Sequence, residues 1–71
     1  MFQVNASRVR ALMFERNISG VYALARATKI NASTTAKALK DGAKVSAKSI
    51  AKLAKFFGVN GEELILKEGV I

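Results

Sequence analysis

The chain has 71 residues, 51% of them hydrophobic, and a net charge of +7. It contains no Cys and no His, which excludes disulfides, thiolate zinc sites, cysteine nucleophiles and the usual general base. No carboxylates are paired for acid–base chemistry and no Gly-rich phosphate loop is present, so we expect no enzyme, no metal and no cofactor.

Helices dominate the predicted secondary structure, and no strand is predicted. Helix one covers about residues 6–16, with Asn5 as N-cap. Its buried stripe is predicted from helical spacing, with Phe14 placed near the core. The stripe consists of Val9, Leu12 and Met13.

Two further helices follow within residues 20–41. Helix two covers about residues 20–27, with Ser19 as cap and Leu24 and Ala25 facing inward. Helix three covers about residues 32–40, capped by Asn31 and stopped near Gly42. At 100° per residue its inner face is Thr35, Ala38 and Leu39, and its outer face is Ala32, Ser33, Ala36, Lys37 and Lys40.

The last two predicted helices close the domain. Helix four covers about residues 47–57, capped by Ser46, and its apolar face holds Ile50, Leu53, Ala54 and Phe57. Phe56 lies off that stripe, which leaves it to cover a second small cluster or to reach a subunit interface. Helix five begins at Asn60. The tail, about residues 67–71, is too short to classify.

The positive charge is concentrated in one segment. Residues 26–55 hold eight Lys or Arg and one Asp, while the rest of the chain is balanced. This distribution indicates a polyanion partner.

The longest uncharged run, residues 17–25, is too short for a membrane span, and the N-terminus lacks the order of a signal peptide. We therefore expect a cytoplasmic protein with no membrane partner.

Residues 24–42, LARATKINASTTAKALKDG, and residues 46–65, SAKSIAKLAKFFGVNGEELI, resemble the lambda-repressor-like helix-turn-helix family of Cro-type and phage-repressor domains. The resemblance implies an all-α, compact five-helix domain over residues 1–71, with the helix-turn-helix at helices two and three. It further implies a transcription regulator of a phage or prophage lysis–lysogeny switch that binds operator DNA, as a homodimer on two half-sites.

In that family helix three enters the major groove, so its outer face supplies the base-edge candidates Ala32, Ser33, Ala36 and Lys37. The phosphate candidates are Lys29, Lys40, Lys44, Lys48 and Thr34. The alternative for both sets is a solvated basic surface. Lys29 stands where the family usually has Gly, and a positive φ at this position would cost a small strain energy.

A second hypothesis is an antirepressor that binds a partner repressor and masks its DNA-binding surface. The chain is similar to the short modulators of repression encoded beside phage repressors. It lacks the Gln that often begins helix two in the family, and helix three presents no Arg, Gln or Asn outward. The protein-contact candidates are Val21, Tyr22 and Phe56. A third hypothesis, a basic peptide at a membrane surface or on the ribosome, is disfavoured because the apolar face of helix four is needed for the core.

Overall fold

Four α-helices and a small sheet make up the part of the chain that the computed structural model describes, residues 1–66. The helices are α1 (Ala6–Glu15), α2 (Val21–Thr28), α3 (Ala32–Ala38) and α4 (Ala47–Phe57). The strands are β1 (Phe2–Gln3) and β2 (Lys44–Val45), and a 3₁₀ turn (Gly61–Leu64) follows α4. The predicted tail lies outside the described residues.

Side-chain caps begin three of the helices at the predicted positions. Asn5 accepts from the backbone N–H of Arg8, Asn31 from that of Thr34, and Ser46 from that of Ser49. Each satisfies one of the free donors in a first helical turn. The cap predicted at Ser19 is wrong: α2 begins one residue later, and its N-cap is Gly20, which has no side-chain bond.

The expectation of an all-α, five-helix domain is wrong on two points. First, β1 pairs antiparallel with β2, with Phe2 opposite Val45, and Val4 forms an isolated bridge to Ile65. Second, the predicted helix five is only the 3₁₀ turn of Gly61–Leu64. Helix three also ends sooner than predicted, at Ala38. The sheet fixes the N-terminus beside the segment that leaves α3.

One hydrophobic core joins all these elements. Leu24 of α2, Leu53 of α4 and Leu64 of the 3₁₀ turn are at most 1% exposed. Val4 and Val45 extend this core into the sheet region and are equally buried. The sheet therefore contributes apolar side chains to the same core as the helices.

The end of α4 is held by a clamp that the sequence did not predict. The Arg16 guanidinium donates to the carbonyls of Phe56 (3.2 Å) and Phe57 (3.0 Å). It also lies 5.5 Å from the centroid of the Phe56 ring, within cation–π range. The two rings meet edge to face at 5.0 Å. Phe56 is half-buried and belongs to a small cluster, whereas Phe14, expected near the core, is 84% exposed.

The left-handed residue at the C-terminal end of α2, Lys29, is a site where substitution by glycine should stabilise the protein. Lys29 has φ 61°, and α4 ends in the same left-handed conformation with Gly58 at φ 69°. A residue with a Cβ atom is destabilised by about 1–2 kcal/mol in this left-handed conformation. Glycine avoids this cost but loses about 0.5–1 kcal/mol more conformational entropy on folding, which offsets part of the gain. We expect Lys29→Gly to raise the free energy of unfolding by about 0.5–1 kcal/mol, measured by urea denaturation. Lys52→Gly, inside α4, is the control and should lower it by about 1 kcal/mol.

Candidate nucleic-acid interface

Helices α2 and α3 form a helix-turn-helix whose turn is buried on one side. The backbone N–H of Ile30 donates to the carbonyl of Ala25 at 3.2 Å, and the Ile30 side chain is only 7% exposed. Lys29, one residue earlier, points its charge outward because the left-handed residue reverses the chain. The turn thus anchors α3 to the core through Ile30.

The inner face of α3 fixes which side chains face solvent. Thr35 is completely buried, and its hydroxyl donates to the carbonyl of Asn31 at 2.9 Å. Ala38 is 1% exposed and allows a close approach to the core. The predicted base-edge residues therefore lie outward: Ser33, Ala36 and Lys37 are exposed, and Ala32 is half-buried.

Three of the predicted contact residues line one groove. Thr34 and Lys37 of α3 and Lys44 of β2 border a cavity of about 180 Å³, which we call the α3 groove. Its remaining lining residues are Met1, Val45, Ser46 and Ser49. Two lysines and several hydroxyls around one groove provide donors suited to phosphate or base oxygens.

The contribution of α4 to this groove was not predicted from the sequence. Ser46 caps α4, and its hydroxyl lies 3.2 Å from that of Ser49, so the N-terminus of this helix borders the groove. The partial positive charge of a helix N-terminus favours phosphate. The signal that could have revealed this was the cap assignment at Ser46, read together with Lys44 two residues earlier.

The other phosphate candidates do not join the α3 groove. Lys29 lines a separate groove with Lys52 and Lys55. Lys40 and Lys48 are exposed and line neither groove. The five predicted phosphate residues are thus divided, and of these Thr34 and Lys44 line the α3 groove together with Lys37.

The protein-contact candidates are divided as well. Tyr22 is 75% exposed on the first turn of α2, beside half-buried Val21. Phe56 instead lines the groove of Lys29, near the other end of α2.

A model of the Cro/C1-type helix-turn-helix (HTH) DNA-binding domain matches residues 8–66. The chain belongs to this family. The match spans α1 to the 3₁₀ turn, and therefore the complete helix-turn-helix. No curated protein and no solved structure matches the chain.

Membership of a Cro/C1-type HTH family assigns DNA binding to the domain, and families of this kind are typically non-enzymatic. Within residues 1–66, no helix has the length and apolar character that crossing a membrane requires.

The cap of α3 allows a test of whether Asn31 reads bases or only holds the helix. Its side-chain oxygen accepts from the Thr34 N–H at 2.8 Å. We expect Asn31→Ala to lower the free energy of unfolding by about 1 kcal/mol, and Asn31→Ser, which preserves a cap, to lower it by much less. Thermal denaturation measures both. Changed base preference in the Ser variant would contradict a purely capping role.

Proposed function

We propose that this Cro/C1-type domain is a small transcription regulator of a phage or prophage lysis–lysogeny switch, working in the bacterial cytoplasm. The observation that carries the proposal is the α3 groove, in which Lys37, Lys44 and Thr34 meet beside the exposed face of α3. The resemblance to phage repressors and Cro-type proteins supports the choice of a phage switch.

In this proposal α3 enters the major groove of operator DNA. Ala32 and Ala36 contact thymine methyl groups, Ser33 bonds a base edge, and Lys37 reaches a guanine. Phosphates are held by Lys44 and Thr34 beside the groove and by Lys29, Lys40 and Lys48 around it. Two copies occupy half-sites about one helical turn apart, and the bound dimer controls the promoter.

Fluorescence anisotropy tests the proposal directly. The probes are the intergenic DNA beside the gene and an unrelated duplex of the same length, each at two salt concentrations. We expect the first to bind at least about a hundredfold more tightly, with the salt dependence counting the phosphate contacts. Equal and strongly salt-dependent binding to both duplexes would contradict a sequence-reading regulator.

A second candidate function is an antirepressor, favoured by the exposed aromatic rings. Phe14 is 84% and Tyr22 is 75% exposed, and both rings suit a protein contact better than a phosphate contact. Masking a repressor would use Val21 and Tyr22, with Phe56 as a further contact. In a titration against a repressor encoded beside the gene, Val21→Asp should abolish the complex and Lys37→Ala should leave it intact. The opposite pattern would reject the antirepressor.

A further inference from the structure

A second groove lies between the C-terminal end of α2 and α4. It has a volume of about 440 Å³. Its lining residues are Ala27, Thr28, Lys29, Lys52, Lys55 and Phe56, and we call it the α2–α4 groove.

The floor of this groove is apolar and held in place. The Thr28 hydroxyl donates to the Leu24 carbonyl at 2.8 Å, so it is already satisfied within α2. The Phe56 ring is fixed by Phe57 and by the Arg16 guanidinium. Ala27 adds only a methyl group. A ligand that fills this floor gains apolar contacts with Ala27 and Phe56.

The rim of the groove is cationic. Lys52 and Lys55 stand three residues apart on α4 and so share one face of the helix. Lys29 faces them from the left-handed turn after α2. Within residues 1–66, Arg8 forms an ion pair with Glu63, whereas these three lysines have no carboxylate partner.

We infer that the α2–α4 groove docks an acidic segment of a partner protein, with an aromatic or branched aliphatic side chain as its anchor. The carboxylates of such a segment pair with the three lysines while the anchor packs on Phe56 and Ala27. An amphipathic helix or an extended peptide carries these groups at suitable spacing. This docking site shares Lys29 with the proposed phosphate contacts and Phe56 with the proposed repressor contact, so it is tested with a peptide in the absence of DNA and of a repressor.

A protein segment fits this groove better than DNA does. A duplex presents phosphates to a basic rim, but its thymine methyl groups lie in the major groove, which in the proposal is occupied by α3. The groove is also displaced from the α3 groove along α4. From Ser49, in the α3 groove, to Lys55 the helix rises by about 9 Å. The two grooves share no lining residue.

The test uses a fluorescein-labelled synthetic peptide in which one Phe and one Leu are flanked by Asp and Glu. Two matched peptides replace the Phe and Leu by Ala, or the acidic residues by Lys. We expect the first peptide to bind the intact protein, and each matched peptide to bind at least about tenfold more weakly. Amide NMR shifts should concentrate at Ala27, Thr28 and Phe56.

Charge-matched variants locate the site. Lys52→Glu combined with Lys55→Glu should lower the affinity for the first peptide at least about tenfold. Lys40→Glu combined with Lys48→Glu makes an equal charge change outside both grooves, and it should change that affinity less than about threefold. Circular dichroism confirms that both variants fold. Equal losses in the two variants, or full binding by the Ala peptide, would overturn the docking site in favour of diffuse charge attraction. A loss of DNA affinity confined to the Lys52/Lys55 variant would overturn it in favour of a DNA contact.

Discussion

Replacing Lys37 and Lys44 together by Glu is expected to abolish DNA binding. Both side chains are exposed at the α3 groove, one from α3 and one from β2. Each substitution removes a cation from the proposed interface and adds an anion facing the phosphates. If each substitution lowers the DNA affinity tenfold, which is about 1.4 kcal/mol, the two together lower it at least about a hundredfold. Anisotropy at fixed ionic strength measures the loss.

The alanine versions of the same positions separate the two roles. Lys37→Ala should cost about 1–3 kcal/mol on the preferred site and relax preference at one base pair. Lys44→Ala should weaken all duplexes alike and lower the salt slope by about one phosphate contact. If Lys37→Ala lowered the affinity for all duplexes equally, Lys37 would contact a phosphate and not a base.

Lys52→Glu combined with Lys55→Glu is the matched control, because it changes the net charge equally at the α2–α4 groove. If the proposed interface is correct, this variant loses much less DNA affinity than the Lys37/Lys44 variant. Equal losses would mean that overall charge governs binding, and that the α3 groove has no special role.

Local patterns were enough to predict α1 to α4. Asn5, Asn31 and Ser46 all form the cap bonds expected of them, since a cap depends on only three or four consecutive residues. The prediction that Phe14 lies near the core was wrong, and the helical periodicity itself argues against it. At 100° per residue it lies about 140° from Val9, away from the stripe, and the structure exposes it.

The sheet could not be predicted for a physical reason. A strand of two residues has no measurable alternation, and the pairing of Phe2 with Val45 joins distant parts of the chain. The same limit applies to the candidate site. Helical periodicity predicted that Lys37 lies outward. It could not assign Lys44 to the α3 groove, because the path between α3 and α4 decides that, or Lys29 to the other groove, because the packing of α2 against α4 decides that.

The second large effect expected is the loss of stability on Leu24→Ala. Leu24 is completely buried on α2, which packs against both α3 and α4. Truncating such a leucine costs about 2–5 kcal/mol. At about 0.05–0.15 kcal/mol per residue, the whole domain of 71 residues has only about 4–11 kcal/mol. The variant should therefore unfold at least about 10 °C below the parent in a thermal melt.

Phe14→Ala supplies the matched control, since it removes a larger apolar side chain from an exposed position. It should change the free energy of unfolding by no more than about 0.5 kcal/mol. Equal losses in the two variants would contradict the core described here. Because Leu24 makes no proposed DNA contact, its variant should lose DNA affinity only in proportion to the unfolded fraction. The Lys37/Lys44 variant, in contrast, should lose affinity while fully folded, so the two measurements together separate the scaffold from the interface.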